Sequence, residues 1–251
     1  MGLEIAIDGK DPSLAILIDA DNTSARHARQ IFEEIAKLGE ANVRRIYGDF
    51  SSERLKGWRD VMQPLAIVPL QQFNYTTGKN AADITLVIDA MDLMHRGGLD
   101  GFCLVSSDSD FTRLAQRLRE DGAVVYGFGA QKTPEAFRNA CTRFIYIENL
   151  EDSAGDDDKE KAGPRAGKKK QAGAKKEPLS KAVPLIRKAM EQAWDDEDWV
   201  DLGVVGQRLN HLAPDFDPRT YGCAKLVTVV EKSGKFLVER LPGQGVRIKR
   251  S

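Results

Sequence analysis

Apolar residues recur along the first part of the chain at two alternating spacings. Short unbroken runs read as strands buried on both faces: Ala15-Ile16-Leu17-Ile18, Val43 to Tyr47, Ala66 to Leu70, Phe102-Cys103-Leu104-Val105, Val124 to Tyr126 and Phe144 to Ile147. Between them the spacing lengthens to three and four. Ala28, Ile31, Ile35 and Leu38 form a helical stripe, capped by Thr23 or Ser24 and closed by Gly39. Further helices are expected around Trp58 to Met62, over Ile84, Val87, Ile88 and Met91 up to Gly97-Gly98, through Leu114, Ala115 and Leu118, and after Pro134. Strands alternating with helices predict an α/β fold, a mainly parallel sheet covered on both faces to give three layers.

The periodicity stops from Glu151 to about Pro178. An acidic half (Glu151 to Asp158) precedes a basic one (Lys168-Lys169-Lys170, then Lys175-Lys176), both diluted by Gly and Ala. Such a segment buries too little apolar surface to offset its ordering entropy, so it reads as a flexible charged linker. Its basic half either touches phosphate or serves as a soluble tether. The chain is thus expected to divide into residues 1–150, 151–178 and 179–251. In the last part Leu185, Ile186, Ala189, Met190 and Ala193 share one helical face. Val200 and Leu202 lead into a helix carrying Val205, Leu209 and Leu212, and Tyr221 to Leu226 with Val229 and Val230 reads as a third. Lys235 to Glu239 and Gly245 to Lys249, joined through Pro242-Gly243, predict a β-hairpin. Three short helices and a terminal hairpin suggest a small winged helix-turn-helix domain.

Composition adds limits. The 251 residues carry a net charge of −1 and 41% hydrophobic residues, enough for two cores. No run of about 18 apolar residues occurs, so no membrane span is expected. The first residues lack a basic stretch followed by an apolar one, so no secretory signal is expected either, and the cytoplasm is the expected compartment. Cys103, Cys141 and Cys223 stand apart in apolar surroundings, as buried reduced thiols would. His27, His95 and His211 are scattered without ligand spacing and read as surface or cap residues.

Acid is concentrated where chemistry is expected. In α/β sheets functional groups sit beyond the carboxyl ends of strands. Asp19-Ala20-Asp21-Asn22 directly follows the first strand, Ser106-Ser107-Asp108-Ser109-Asp110-Phe111 follows the Phe102 strand, and Asp83 opens the Ile84 helix. Helix capping accounts for acids at such positions one at a time. Three together favour a metal site, since clustered carboxylates repel and need a cation or a proton to coexist. Hard oxygen ligands suit Mg²⁺ or Mn²⁺. Two phosphate-binding motifs fail. Thr77-Gly78-Lys79-Asn80 has Phe73 where a Walker loop needs its first glycine and Asn80 in place of the hydroxyl, and Gly127-Phe128-Gly129 lacks the third glycine of a dinucleotide fingerprint.

Three segments in order, Ile18-Asp19-x-x-Asn22, Lys79-x-x-x-Asp83 with Asp89 six further on, and Ser106 to Phe111, resemble the NYN domain, a branch of the PIN-like nucleases, with the bacterial LabA-like proteins similar. The resemblance covers most of residues 14 to 149. It implies that Asp19, Asp83 and Asp108 hold metal with Asp110 assisting, that Asn22 orients Asp19 or contacts substrate, and that Ser106 or Ser107 supports the acidic loop. It further implies RNA cleavage by activated water, leaving a 5′-phosphate and a 3′-hydroxyl. Lys79 either contacts RNA phosphate near Asp83 or is solvated. Asp89 lies on a different helix face from Asp83, about 240° around, so a structural role is expected.

The last domain resembles the LOTUS or OST-HTH domain, from Leu185, Leu202, Leu209 and Phe216 to the Tyr221-Gly222-Cys223-Ala224-Lys225-Leu226 run. LOTUS domains bind RNA or protein partners. Lys225, Lys235, Arg247, Lys249 and Arg250 are the candidate phosphate contacts, with ordinary surface lysines on a protein-binding module as the alternative. Trp194 and Trp199 read as core anchors.

The leading expectation is a metal-dependent ribonuclease using Mg²⁺ or Mn²⁺ on single-stranded or structured RNA. A protein partner through the second domain and a homo-oligomer are left open. Two rivals stand. One is a haloacid-dehalogenase-type phosphatase with Asp19 as nucleophile, because Asp19-Ala20-Asp21-Asn22-Thr23 is close to D-x-D-G-T. The other is a non-catalytic RNA-binding protein.

Overall fold

The computed structural model describes residues 10–72, 81–151, 176–193, 198–241, 243 and 245–251. Lys79, Trp194 and nearly all of the expected linker (residues 152–175) lie outside the described residues. The chain divides at residues 173 and 174 into two compact units.

In the first unit, strand β1 (Ser13–Asp19) leads through a 3-10 turn (Ala25–His27) to helix α1 (Ala28–Ile35) and strand β2 (Glu40–Gly48). Next come a 3-10 turn (Glu53–Leu55), α2 (Lys56–Met62), β3 (Val68–Gln71), α3 (Ala81–Arg96) and β4 (Gly101–Val105). A turn (Ser109–Phe111), α4 (Thr112–Glu120), β5 (Val124–Gly129), α5 (Glu135–Ala140), β6 (Arg143–Tyr146) and α6 (Glu148–Glu151) complete it. The six strands are all parallel, in the order β3-β2-β1-β4-β5-β6.

The unbroken apolar runs follow from burial on both faces. Side chains alternate along a strand, so Ala15 and Leu17 enter one core while Leu14, Ile16 and Ile18 enter the other. The first core is closed by α3, α4 and α5 through Leu86, Leu93, Leu114, Leu118 and Phe137. The second is closed by α1, α2 and α6 through Ile31, Ile35, Trp58 and Leu150. The chain therefore winds to one side after β1 and to the other after β3. The reversal opens a crevice between β1 and β4 at their carboxyl ends, the switch point where open α/β sheets bind ligands.

The second unit, described from residue 176, contains α7 (Leu179–Gln192), β7 (Val200–Asp201), α8 (Leu202–Leu212), a 3-10 turn (Pro218–Tyr221), α9 (Leu226–Ser233), β8 (Phe236–Leu241) and β9 (Gly245–Arg250). The helices enclose a core of Ile186, Met190, Val205, Leu209, Val229 and Val230 with Phe236 and Ile248 from the hairpin. Two details differ from the sequence expectation. The third helix starts at Leu226, because Gly222 adopts a left-handed conformation (φ 71°) and ends the preceding turn. Val200–Asp201 is a short strand pairing antiparallel with β9, which makes the wing three-stranded. Asp201 then caps α8, accepting from the amides of Gly203 (2.8 Å) and Val204 (3.1 Å). All three cysteines are free and buried. Among the described residues no helix is long and apolar enough to cross a membrane.

Candidate functional site

Asp19 ends β1 and is 1% exposed. The ladder to β2 runs one bond further, from the Ala20 amide to the Tyr47 carbonyl (3.0 Å), and the chain then turns so that the Thr23 hydroxyl donates to the Val105 carbonyl (3.2 Å). The buried carboxylate gathers four donors. Oδ1 accepts from the amides of Asp21 (3.1 Å) and Asn22 (3.2 Å), and Oδ2 from Asn22 Nδ2 (2.8 Å) and Ser106 Oγ (2.7 Å). No cationic side chain is among them. Burial therefore raises the proton affinity of Asp19, while the Ser106 and Asn22 donors pull it back and Asp21 adds repulsion.

Ser106 joins the two strand ends. Its amide bonds the Phe128 carbonyl (3.0 Å), its hydroxyl donates to Asp19, and the same oxygen accepts from the Asp108 amide (3.0 Å). Ser107 Oγ accepts from the Ala130 amide (2.8 Å), tying the acidic loop to the end of β5. Asp108 Oδ1 accepts from the Asp110 amide (2.9 Å) and caps the turn that Phe111, a buried residue, anchors below. Capping thus holds for Asp108 through one of its two oxygens. Gly129 is required here, because a β-carbon would stand 2.6 Å from the Ser106 carbonyl oxygen and 2.7 Å from Thr133 Oγ1. The Gly127-Phe128-Gly129 segment thereby serves close packing.

Asp83 lies in the first turn of α3. Its pKa is pushed up from 3.8 to about 6, first by burial and then by the charges of Asp19, Asp108, Asp110 and Asp21. Four carboxylates contributed by β1, the loop after it and the loop after β4 thus act on Asp83 at the switch point. Among the described residues no group of three or more His, Cys, Asp or Glu side chains stands as a ready-made metal cage. The donor chemistry nevertheless fits a hydrated divalent cation, because Mg²⁺ usually keeps several waters and takes one or two carboxylates directly. Asp89, as its helix face suggested, points elsewhere and bonds the Arg45 guanidinium and the Tyr47 hydroxyl, pinning α3 to β2.

Some features were not legible in the sequence. Arg54, far along the chain, reaches Asp21 at 3.3 Å. His27 stands at the start of α1 as a cap residue would, yet it is buried, makes no cap bond, and accepts from Arg26 Nε at 2.7 Å.

In the second unit the candidate phosphate contacts separate into two kinds. Arg247 pairs with Glu239 (2.6 Å) and lies over the Trp199 ring at 5.1 Å, Lys249 pairs with Asp198, and Arg250 with Glu191. Lys225 and Lys235 are exposed, and among the described residues neither joins an ion pair. Acids of the wing, of α7 and of the segment before β7 thus offset three of the five candidates, leaving Lys225 and Lys235, near the ends of α9, as the two without such a partner among the described residues.

A family model described as "NYN domain" matches residues 13–148, and one described as "OST-HTH/LOTUS domain" matches residues 174–247. Among solved structures, a crystal structure of a protein of unknown function from Vibrio parahaemolyticus is similar over 55% of this chain and 93% of that one, at 16% identity and a TM-score of 0.47. A solution structure of an uncharacterized protein from Nitrosomonas europaea covers 38% of this chain and 91% of that one, at 29% identity and a TM-score of 0.26. No curated protein matches the chain.

Proposed function

The chain belongs to the NYN family, its NYN domain followed by an OST-HTH/LOTUS domain, and on that footing we propose that it is a metal-dependent ribonuclease directed to RNA by its C-terminal domain. The observation that carries this reading is the gathering of five carboxylates at the switch point, where burial first and then the charges of Asp19, Asp108, Asp110 and Asp21 push the pKa of Asp83 up to about 6. Charge of one sign gathered at the mouth of a sheet disfavours the folded state. A hard divalent cation supplies the opposite charge and leaves a positive centre on which an anionic RNA phosphate can sit.

Asp19, Asp83 and Asp108 are the proposed ligands, with Asp110 assisting. A bound Mg²⁺ or Mn²⁺ would lower the pKa of a water and offset charge on the phosphate oxygens. The chain's own residues set the geometry. Asn22 and Ser106 each donate to Asp19 Oδ2, so its orientation is fixed before substrate arrives. Ser106 also holds the Asp108 amide, coupling the two carboxylate loops, and Ser107 braces the second. Asp83 must lose its proton to accept an ion, so metal affinity should climb as pH rises toward and through about 6. Hydrolysis would leave a 5′-phosphate and a 3′-hydroxyl. Lys79, four residues before Asp83, is a proposed phosphate contact. In the C-terminal domain Lys225 and Lys235 take that part, and Arg247 and Lys249 contribute less because acids already pair with them. Acids outnumber bases in the first domain, so a second domain that retains RNA raises the local substrate concentration at the acidic site.

The test is cleavage of a labelled single-stranded RNA by the full chain in Mn²⁺, Mg²⁺ or EDTA, with Asp19→Asn and Asp108→Asn beside the wild type. Cutting that needs metal and disappears in both variants supports the reading. Cutting in EDTA, or by either variant at the wild-type rate, removes it. Asp21→Ala separates the phosphatase alternative, which needs that carboxylate for chemistry.

A further inference from the structure

Beside the acid cluster an open groove of about 710 Å³ runs between the loop after β1 and the stretch from Arg54 to Val61. A second hollow of about 310 Å³ continues it past Arg29, sharing Ala25, Arg26, Asp60 and Val61. The sizes fall within the range of about 300–1,000 Å³ that accommodates nucleotide-sized ligands. Three arginines (Arg26, Arg29 and Arg54) line the two hollows against two acids, Asp21 and Asp60. This local basic excess occurs in a domain whose acids otherwise outnumber its bases. The wall is rigid, since Trp58, buried beneath it at 2% exposure, donates its Nε1 to the Thr23 carbonyl at 2.9 Å.

The groove also opens onto the proposed site. Asn22 lines it while its side-chain amide donates to Asp19 Oδ2 at 2.8 Å, so an occupant that touches Asn22 is one residue from the acid cluster. The Arg54–Asp21 pair spans the same edge at 3.3 Å, with the arginine side chain 73% exposed. An ion pair so exposed contributes little and yields readily to a doubly oxygenated anion.

We infer that this groove seats the nucleotide of single-stranded RNA next to the scissile phosphate, with Arg54 and Arg26 on its backbone phosphate. That the neighbouring phosphate is the one cut rests on the ribonuclease reading, whereas the seating in the groove does not. Seating on this side fixes the direction in which the strand leaves the carboxylates, along α1 and α2 and away from α3.

The test uses the full chain and an RNA oligonucleotide carrying 4-thiouridine, irradiated in EDTA so that no cutting occurs. Crosslinked peptides should fall within residues 20–29 or 54–61. The Arg26→Ala/Arg54→Ala double variant, its fold checked by circular dichroism, should lose those crosslinks. In Mn²⁺ it should raise KM about tenfold with kcat little changed. Its binding should also lose about 1.4 from the slope of log affinity against log salt, at about 0.7 per charge on a single strand. Crosslinks that fall only outside both segments, or a double variant with wild-type crosslinking, KM and salt slope, overturn the inference. Crosslinking in the groove by a chain that cuts no RNA in any metal would leave the seating intact and defeat the ribonuclease reading.

Discussion

Replacing Asp83 by Asn keeps the shape of the side chain and removes its charge. The unfolded chain holds this carboxyl at its ordinary 3.8, whereas the fold holds it at about 6. Between those values the folded protein binds more protons than the unfolded one, so stability falls as pH rises from about 4 to about 6 and is level above. At about 1.36 kcal/mol per pH unit the full displacement corresponds to roughly 3 kcal/mol. Asp83 is partly exposed, so solvent screening reduces this to about 1.5 kcal/mol. Its place in the first turn of α3 returns about 0.5 kcal/mol through the helix dipole. Asp83→Asn should therefore stabilise the first domain by about 1 kcal/mol at pH 7.5 in EDTA, raising its melting temperature by about 3 °C, with no difference at pH 4. Calorimetry of the full chain reads this as a shift of one transition. Saturating Mn²⁺ should invert the order, because only the wild type gains binding energy of about 2.7 kcal/mol at a hundredfold excess over Kd. A variant no more stable than the wild type at pH 7.5, or one that keeps the wild-type loss between pH 4 and 6, would refute the claim that burial and neighbouring carboxylates together disfavour the Asp83 charge.

Three further outcomes follow from the same geometry. Ser106→Ala removes one donor from Asp19, a charge-assisted bond worth about 1.5–3 kcal/mol, so kcat should fall by about 10- to 100-fold and the acid limb of the pH–rate profile should move upward. Asp89→Ala leaves Arg45 and the Tyr47 hydroxyl without their shared partner and should destabilise the domain by about 2–3 kcal/mol, read as a lower denaturant midpoint at unchanged slope. Lys225→Ala/Lys235→Ala should reduce the salt slope of RNA binding by about two, whereas Arg247→Ala/Lys249→Ala should move it by less than one because Glu239 and Asp198 already offset those charges, as filter binding across salt concentrations would measure.

The sheet was legible because its central strands are buried on both faces, which forces unbroken apolar runs such as Leu14 to Ile18 and Phe102 to Val105. Asp19 stood out for the same reason, as a charge placed directly after such a run. Edges were less distinct. The third strand starts at Val68, after Ala66 turns back with a φ of 52°, although the apolar run begins two residues earlier. Pairing between distant segments leaves no local signal. The two-residue strand Val200–Asp201 exists only because β9, nearly fifty residues on, lies beside it. The wing cations looked available in sequence, yet Glu239, Asp198 and Glu191 meet them in space. Equally hidden were the burial that leads the rise at Asp83 and the Arg54 side of the groove, whereas the clustering of the acids was already legible.

The most direct measurement is of the RNA ends. The full chain is incubated with Mn²⁺ and a uniformly labelled RNA, and the products are tested for ligation, phosphatase sensitivity and cyclic phosphate. A 5′-phosphate and a 3′-hydroxyl, formed by the wild type and absent with Asp19→Asn, are the predicted result, since water activated at a carboxylate-held ion attacks phosphorus from outside the chain. Products ending in a 2′,3′-cyclic phosphate, or produced equally by Asp19→Asn, would contradict the account, because the RNA's own 2′-hydroxyl or another site would then have done the cutting.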